Sequence, residues 1–241
     1  MAVPLSNSKL SDMKTLSNKI IIYDDVCPLC KAYTSGFVNI GWLLPNHRIG
    51  FSAAPKELLE HIDIDRARHE IPLYDTQTKE TLYGKEALFY ILGEEFPVLK
   101  PLFRWRIFRI LIAGLYQIIT YNRRIIAGSK APTAGFDCAP DFNASYRWLY
   151  IGLAFMLGTG ILYANSPVLD LTKIGLATLL ALAIIKGFAT KNFIHKTDYF
   201  GHLATVYLLS NILAAIADYS NYAMVVIVPL GAYCMGKRLS V

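Results

Sequence analysis

From Tyr146 to Gly236 the chain passes through four long apolar stretches, Tyr146 to Ala164, Val168 to Phe188, Tyr199 to Ala217 and Tyr219 to Gly236, separated only by short polar breaks. At the helical rise per residue the first of them extends roughly 28 Å, close to the thickness of a hydrocarbon core. Soluble amphipathic helices hide one face and wet the other, and these stretches offer no polar face. The second half of the chain is therefore expected to be an all-α four-helix transmembrane region, its last helix interrupted by Pro229. The overall composition, 54% apolar and 17% charged, follows from this half, because residues 1–130 carry most of the charge.

Basic residues collect at alternate ends of these stretches. Arg123, Arg124, Lys130 and Arg147 precede the first, Lys186, Lys191 and Lys196 surround the loop after the second, and Lys237 and Arg238 follow the fourth. The intervening loops, Asn165 to Pro167 and Asp218 to Asn221, hold neither lysine nor arginine, and Lys173 can snorkel. Positive loops stay on the cytoplasmic side, so a multi-pass protein of the cell inner membrane with both termini in the cytoplasm is expected. The net charge of +6 serves orientation in a lipid bilayer, and no nucleic acid partner is expected from it. The domain plan that results is a polar N-terminus at 1–18, an α/β domain at 19–128, a linker at 129–145 and a membrane domain at 146–241.

The chemistry is expected in the first half, where Lys19 to Lys31 reads Lys-Ile-Ile-Ile-Tyr-Asp-Asp-Val-Cys-Pro-Leu-Cys-Lys. The β-branched run Ile20 to Ile22 with Tyr23 predicts one buried strand ending near Asp24. Pro28 suits the first position of a helix, where its missing N–H costs nothing. Cys27 then lies at the helix N-terminus, whose backbone N–H groups favour a thiolate, with Lys31 one turn on adding to the effect. Cys27 is the expected nucleophile. Cys30, one turn away, is the expected resolving thiol, and Asp24 is a candidate to relay its proton. Asp25 opposes activation of Cys27 by like-charge repulsion. Zinc needs about four ligands. No second cysteine pair follows, and His47, His61, His69 and Cys138 are scattered, so no metal centre is expected. The first eighteen residues lack a signal-peptide core, which puts the cysteine pair in the cytosol, where such pairs are more often redox-active than structural.

Further along, Tyr33, Phe37, Ile40 and Leu44 recur at helical spacing and predict a helix packed on a sheet, closed by Pro45. A strand at Arg48 to Ser52 and a helix from Pro55 follow, then a hairpin from Glu70 to Asp75 and Thr81 to Tyr83, then a helix over Lys85 to Leu92. Pro72 at the head of a strand leaves two options open. It is a cis residue lining a substrate groove with Ile71 and Pro28, or a trans residue beginning an edge strand. From Pro101 to Ile126 one long helix is predicted, with Arg104, Arg106, Arg109, Arg123 and Arg124 among apolar residues and Trp105, a composition suited either to a headgroup interface or to a domain-closing helix with solvated arginines.

Tyr-Asp-x-x-Cys-Pro-x-Cys after the first strand, Ile-Pro-Leu-Tyr-Asp, Tyr-Gly-Lys-Glu-Ala-Leu, and the run from Tyr116 ending Tyr-Asn-Arg-Arg resemble the DCC family of thiol-disulfide oxidoreductases over Lys19 to Gly128. The resemblance implies a thioredoxin-like fold, with Asp24, Cys27 and Cys30 matching the signature residues. The chain departs from that signature at Asp25, where the family has glycine. The implied chemistry is attack of Cys27 on a protein or small-molecule disulfide and resolution by Cys30, with no organic cofactor. No Gly-x-Gly-x-x-Gly fingerprint is present, so a separate electron donor is expected.

In the membrane half, Tyr199, His202 and Thr205 lie within one side of a predicted helix, a possible membrane site for a quinone headgroup, a metal or a haem, or a strip bonded to a neighbouring helix. The competing reading of the whole chain is a non-catalytic membrane scaffold with a thioredoxin-like docking domain. A quinone-coupled disulfide oxidant would need cysteine pairs in the outer loops, which have none.

Overall fold

A computed structural model describes residues 16–129, 140–165 and 171–216. The polar N-terminus up to residue 15, the centre of the linker with Cys138, and the fourth apolar stretch with Cys234 lie outside the described residues. The chain divides into two compact units, one reaching to Thr120 and the other starting at Tyr121 within a helix.

The first unit is built on a four-stranded mixed sheet in the order β2-β1-β3-β4. Strand β1 (Lys19–Tyr23) takes a central position because its isoleucines, Ile21 and Ile22 above all, are buried. It pairs in parallel with β2 (Arg48–Gly50), Tyr23 opposite Gly50, and antiparallel with β3 (Pro72–Asp75), Ile21 opposite Leu73. Strand β4 (Thr81–Tyr83) returns beside β3 as the expected hairpin. The crossover from β1 to β2 carries helix α1 (Pro28–Asn39), which begins at the predicted proline. Two short helices, α2 (Lys56–Leu59) and α3 (Ile64–His69), fill the next connection, and α4 (Gly84–Glu95) follows β4 directly.

Helix α1 buries a different face from the one its apolar period suggests. Cys30, Thr34 and Phe37 are buried, whereas Ile40 is 57% exposed. The helix ends at Asn39 because Gly41 takes a positive φ of 85°, which turns the chain so that the Trp42 and Leu43 amides donate back to the Phe37 carbonyl. Leu43 rather than Leu44 thereby enters the core with Ile21, Phe37, Leu73, Ala87 and Ile91.

The hairpin is fixed by Asp75. Its carboxylate accepts from the Gln77 amide at 2.8 Å and from Asn18 at 2.8 Å, and pairs with the buried Lys19 ammonium. Burial works against both charges. For Asp75 the Lys19 bond and the turn amides outweigh it and hold the carboxyl well below the usual range, and for Lys19 the bond to Asp75 and the neighbouring Tyr90 leave the pKa raised.

The long helix expected from Pro101 is broken at Trp105 into α5 (Lys100–Arg104) and α6 (Arg106–Ala127). The break lets Phe103 and Phe108, one on each helix, both meet Phe89 of α4, with ring centroids 4.9 and 6.1 Å away.

The second unit contains the end of α6 with three helices, α7 (Ala144–Asn165), α8 (Leu171–Ala189) and α9 (Phe193–Ile216). Among the described residues two helices, Ala144–Ala164 and Phe193–Ile216, are long and apolar enough to cross a membrane by length and composition. Helices α7 and α9 pack on one another through small residues and buried hydroxyls: Tyr150 bonds Thr205 at 2.6 Å and Thr159 bonds Tyr207 at 3.1 Å. Where α7 meets α6 and α9, Arg147 donates to Asn122 at 2.7 Å and pairs with Asp198, while Asn122 donates to the Tyr146 carbonyl at 3.0 Å.

Gly158 makes room for Tyr207 of α9, since a Cβ there would lie 2.7 Å from its ring. Gly158→Val is expected to cost about 1–3 kcal/mol through overpacking. Thermal unfolding of purified protein in detergent checks this, and a midpoint equal to wild type would refute it.

Candidate thiol site

Three of the residues singled out in the sequence converge where β1 hands over to α1. A carboxylate oxygen of Asp24 and the sulfurs of Cys27 and Cys30 all lie within 4.8 Å of one another, and all three residues are buried. Cys27 is the N-cap of α1 with Pro28 at its first position. Asp24 determines this geometry: its Oδ1 accepts from the Val26 amide at 2.9 Å and the Cys27 amide at 3.1 Å, closing the turn that presents the cysteine. A residue expected only to relay a proton thus also builds the loop. Among the described residues, this is the group of three or more His, Cys, Asp and Glu donors close enough to share a metal ion.

Asp25 bonds the Ser52 hydroxyl, and its carboxylate packs over Gly50, where an added Cβ would lie 2.9 Å from Oδ2. The extra acid is therefore engaged with the segment after β2.

The proposed groove residues differ among themselves. Pro28 is exposed beside the cysteines, and Ile71 is half-buried. Pro72 is almost completely buried, and the described residues contain no cis peptide bond. Pro72 pairs with Tyr83 across the hairpin, and continuation of the β1–β3 register sets it beside Ile22. It is a packed strand residue, so its ring does not line an open groove. The side chain found at this end of the sheet is Tyr116 of α6, whose hydroxyl lies over Gly84: a Cβ at Gly84, already at φ 54°, would lie 3.0 Å from it and 3.1 Å from the Glu70 side chain. Tyr33 belongs to the same neighbourhood. The residue is 37% exposed, and desolvation pushes its phenol well above the ordinary pKa, with Tyr116 and Cys30 nearby adding to the shift.

Arg48 was not anticipated. It stacks on the Tyr23 ring at 3.8 Å, its Nε donates to Thr34 Oγ1 at 2.8 Å and its Nη2 donates to the Lys31 carbonyl at 3.1 Å, while Thr34 donates to the Cys30 carbonyl at 2.7 Å. One side chain from β2 thus braces the first two turns of α1. Arg48→Ala removes two charge-assisted bonds and a cation–π contact, and is expected to destabilise the unit by about 2–4 kcal/mol. The denaturant midpoint reads the loss, and Arg48→Lys should recover only part of it because an ammonium cannot reproduce the guanidinium fork.

In the second unit the Tyr199, His202 and Thr205 strip separates. Tyr199 donates to the Ala183 carbonyl of α8 at 2.9 Å, whereas Thr205 bonds Tyr150 of α7 and the Gly201 carbonyl. Steps of three residues drift around a helix, so the two ends of the strip meet different neighbours. His202 lies between them, half-buried.

Compared with protein-family models, curated proteins and solved structures, the chain matches none.

Proposed function

We propose that this chain is a membrane-anchored thiol–disulfide oxidoreductase whose thioredoxin-like domain faces the cytoplasm. The observation that carries the proposal is the gathering of Asp24, Cys27 and Cys30 within 4.8 Å at the start of α1. The order of elements, a strand followed by the cysteine-bearing helix, a parallel strand, an antiparallel hairpin and a final helix, supports the thioredoxin-like and DCC-family reading. The two span-length helices, with Arg123, Arg124, Arg147, Lys186, Lys191 and Lys196 at neighbouring ends, support a multi-pass inner-membrane protein with a cytoplasmic thiol domain.

The Cys27 thiolate attacks one sulfur of a substrate disulfide, forming a mixed disulfide and releasing the other substrate sulfur as a thiolate. Cys30 gives its proton to Asp24 and attacks the Cys27 sulfur. The Cys27–Cys30 disulfide forms and the second substrate thiolate leaves. The substrate gains two electrons and the cysteine pair loses them, and a separate dithiol donor restores the pair. Run backwards, the same steps oxidise a substrate dithiol.

A second reading is favoured by the same convergence of donors: a thiophilic metal ion held by Cys27, Cys30 and Asp24, which would make the domain a docking module. One experiment separates the two. Purified protein is equilibrated across thiol–disulfide buffers and the pair is followed by alkylation and mass shift. A two-electron transition at roughly −270 to −200 mV supports the oxidoreductase. Protection of both cysteines from alkylation that a chelator reverses overturns it in favour of the metal.

A further inference from the structure

Helix α6 turns two dissimilar faces outward and inward. Toward its own unit, Phe108 meets Phe89 and Phe103, Arg109 pairs with Glu86 at 2.6 Å, and Tyr116 packs at Gly84. Away from these contacts Ile107, Ile110 and Leu111, which recur at helical spacing, are 55–65% exposed, and Leu115 at the edge of that face is 50% exposed. Four large aliphatic side chains exposed together are costly in water. Trp105, at the break just before the row, is 56% exposed.

We infer that this row is seated in the headgroup and upper acyl region of an anionic bilayer leaflet, so that α6 lies between the thiol domain and the lipid. Charge selects this occupant. Arg104 and Arg106 are exposed beside the row, and α6 contains no acidic residue. Anionic phospholipid complements such a surface, whereas a second copy would bring arginines against arginines. Chain continuity points the same way, because α6 runs without a break into the unit that holds both span-length helices. Tyr116 projects from the opposite face toward Gly84, at the neighbourhood shared by Tyr33 and Cys30. The thiol site therefore works at the membrane surface, which favours disulfide substrates that are themselves held there.

The inference rests on the membrane reading proposed above, and its test keeps the two apart. Full-length Trp148→Phe protein is reconstituted into phosphatidylglycerol–phosphatidylcholine vesicles whose lipids carry bromine at shallow acyl positions. Trp42, half-buried against Phe37 and Phe96, supplies an unquenched baseline. Trp105 emission is expected to be strongly quenched, and Leu111→Asp and Ile110→Asp are each expected to lose most of that quenching. Both positions are exposed, so the substitutions leave the core untouched. An unquenched Trp105 in protein that resists alkaline carbonate extraction overturns the inference alone, as does quenching that both Asp variants retain, or a concentration-dependent dimer that shields the row. Release of the protein by carbonate overturns the membrane reading and the inference together.

Discussion

Cys27→Ser is expected to eliminate the proposed thiol–disulfide turnover down to the uncatalysed background, whereas Cys30→Ser is expected to keep the attacking sulfur and leave the protein joined to its substrate as a mixed disulfide. The asymmetry follows from position. Cys27 caps α1, a position where N-terminal N–H groups favour an anion, and Cys30 sits one turn inside. A turnover assay on a model disulfide reads the first outcome and a non-reducing gel after the same incubation reads the second, and equal residual activity in the two variants contradicts the assignment. Asp24→Asn refines it. An asparagine oxygen still accepts from the Val26 and Cys27 amides, so the turn survives while the base is lost. Release of the mixed disulfide is then expected to slow by about 100-fold or more, the scale of a positioned general base, with the first attack little changed. A variant that slows both steps alike would return Asp24 to a purely structural part.

Asp75→Ala is expected to destabilise the first unit by about 3–5 kcal/mol, because it leaves the Lys19 ammonium buried without its counter-charge. It also withdraws the acceptor that the Gln77 and Thr78 amides use in the hairpin turn. The pH dependence has a definite sign. Asp75 is held below its ordinary value of 3.8 in the folded protein, so its contribution is complete above that value and drains away as pH falls through the lower folded pKa. Lys19 is held above its ordinary 10.5, so its share is complete below that value and disappears as pH rises through the higher folded pKa. Unfolding midpoints of wild type and Asp75→Asn, measured across pH, should keep a constant separation from about pH 6 to 9 and approach each other below about pH 4. A separation that widened under acid would contradict the pair.

Much of the thiol unit was legible because its signals are local. An isoleucine run followed by Pro28 specifies strand and helix start without reference to distant residues, and the hairpin announces itself by its turn. Legibility failed where distant residues decide. The apolar period of α1 continues past its true end, since the reversal depends on Gly41 at positive φ and on the site that Leu43 finds among β1, β3 and α4. Arg48 is separated from Thr34 by 14 positions and reaches it only because β2 pairs in parallel with β1. The break at Trp105 has no proline or glycine to mark it, and follows from two phenylalanines sharing Phe89. In the second unit the apolar lengths were readable for α7 and α9, while the division of Tyr199 and Thr205 between two neighbours depends on helix packing.

The Arg147–Asn122–Asp198 cluster also bears on how the protein is made. Asn122 precedes Arg147 in the chain, but Asp198 follows it by 51 residues. At bacterial or eukaryotic elongation rates that delay lasts roughly 3–10 s, long compared with helix formation. Throughout it the arginine at the head of α7 lacks its carboxylate, and a lone cation resists passage through hydrocarbon. On the membrane reading proposed above, the nascent segment would be held on the side where it was synthesised until α9 emerges, and the salt link would close only once both helices had taken their places.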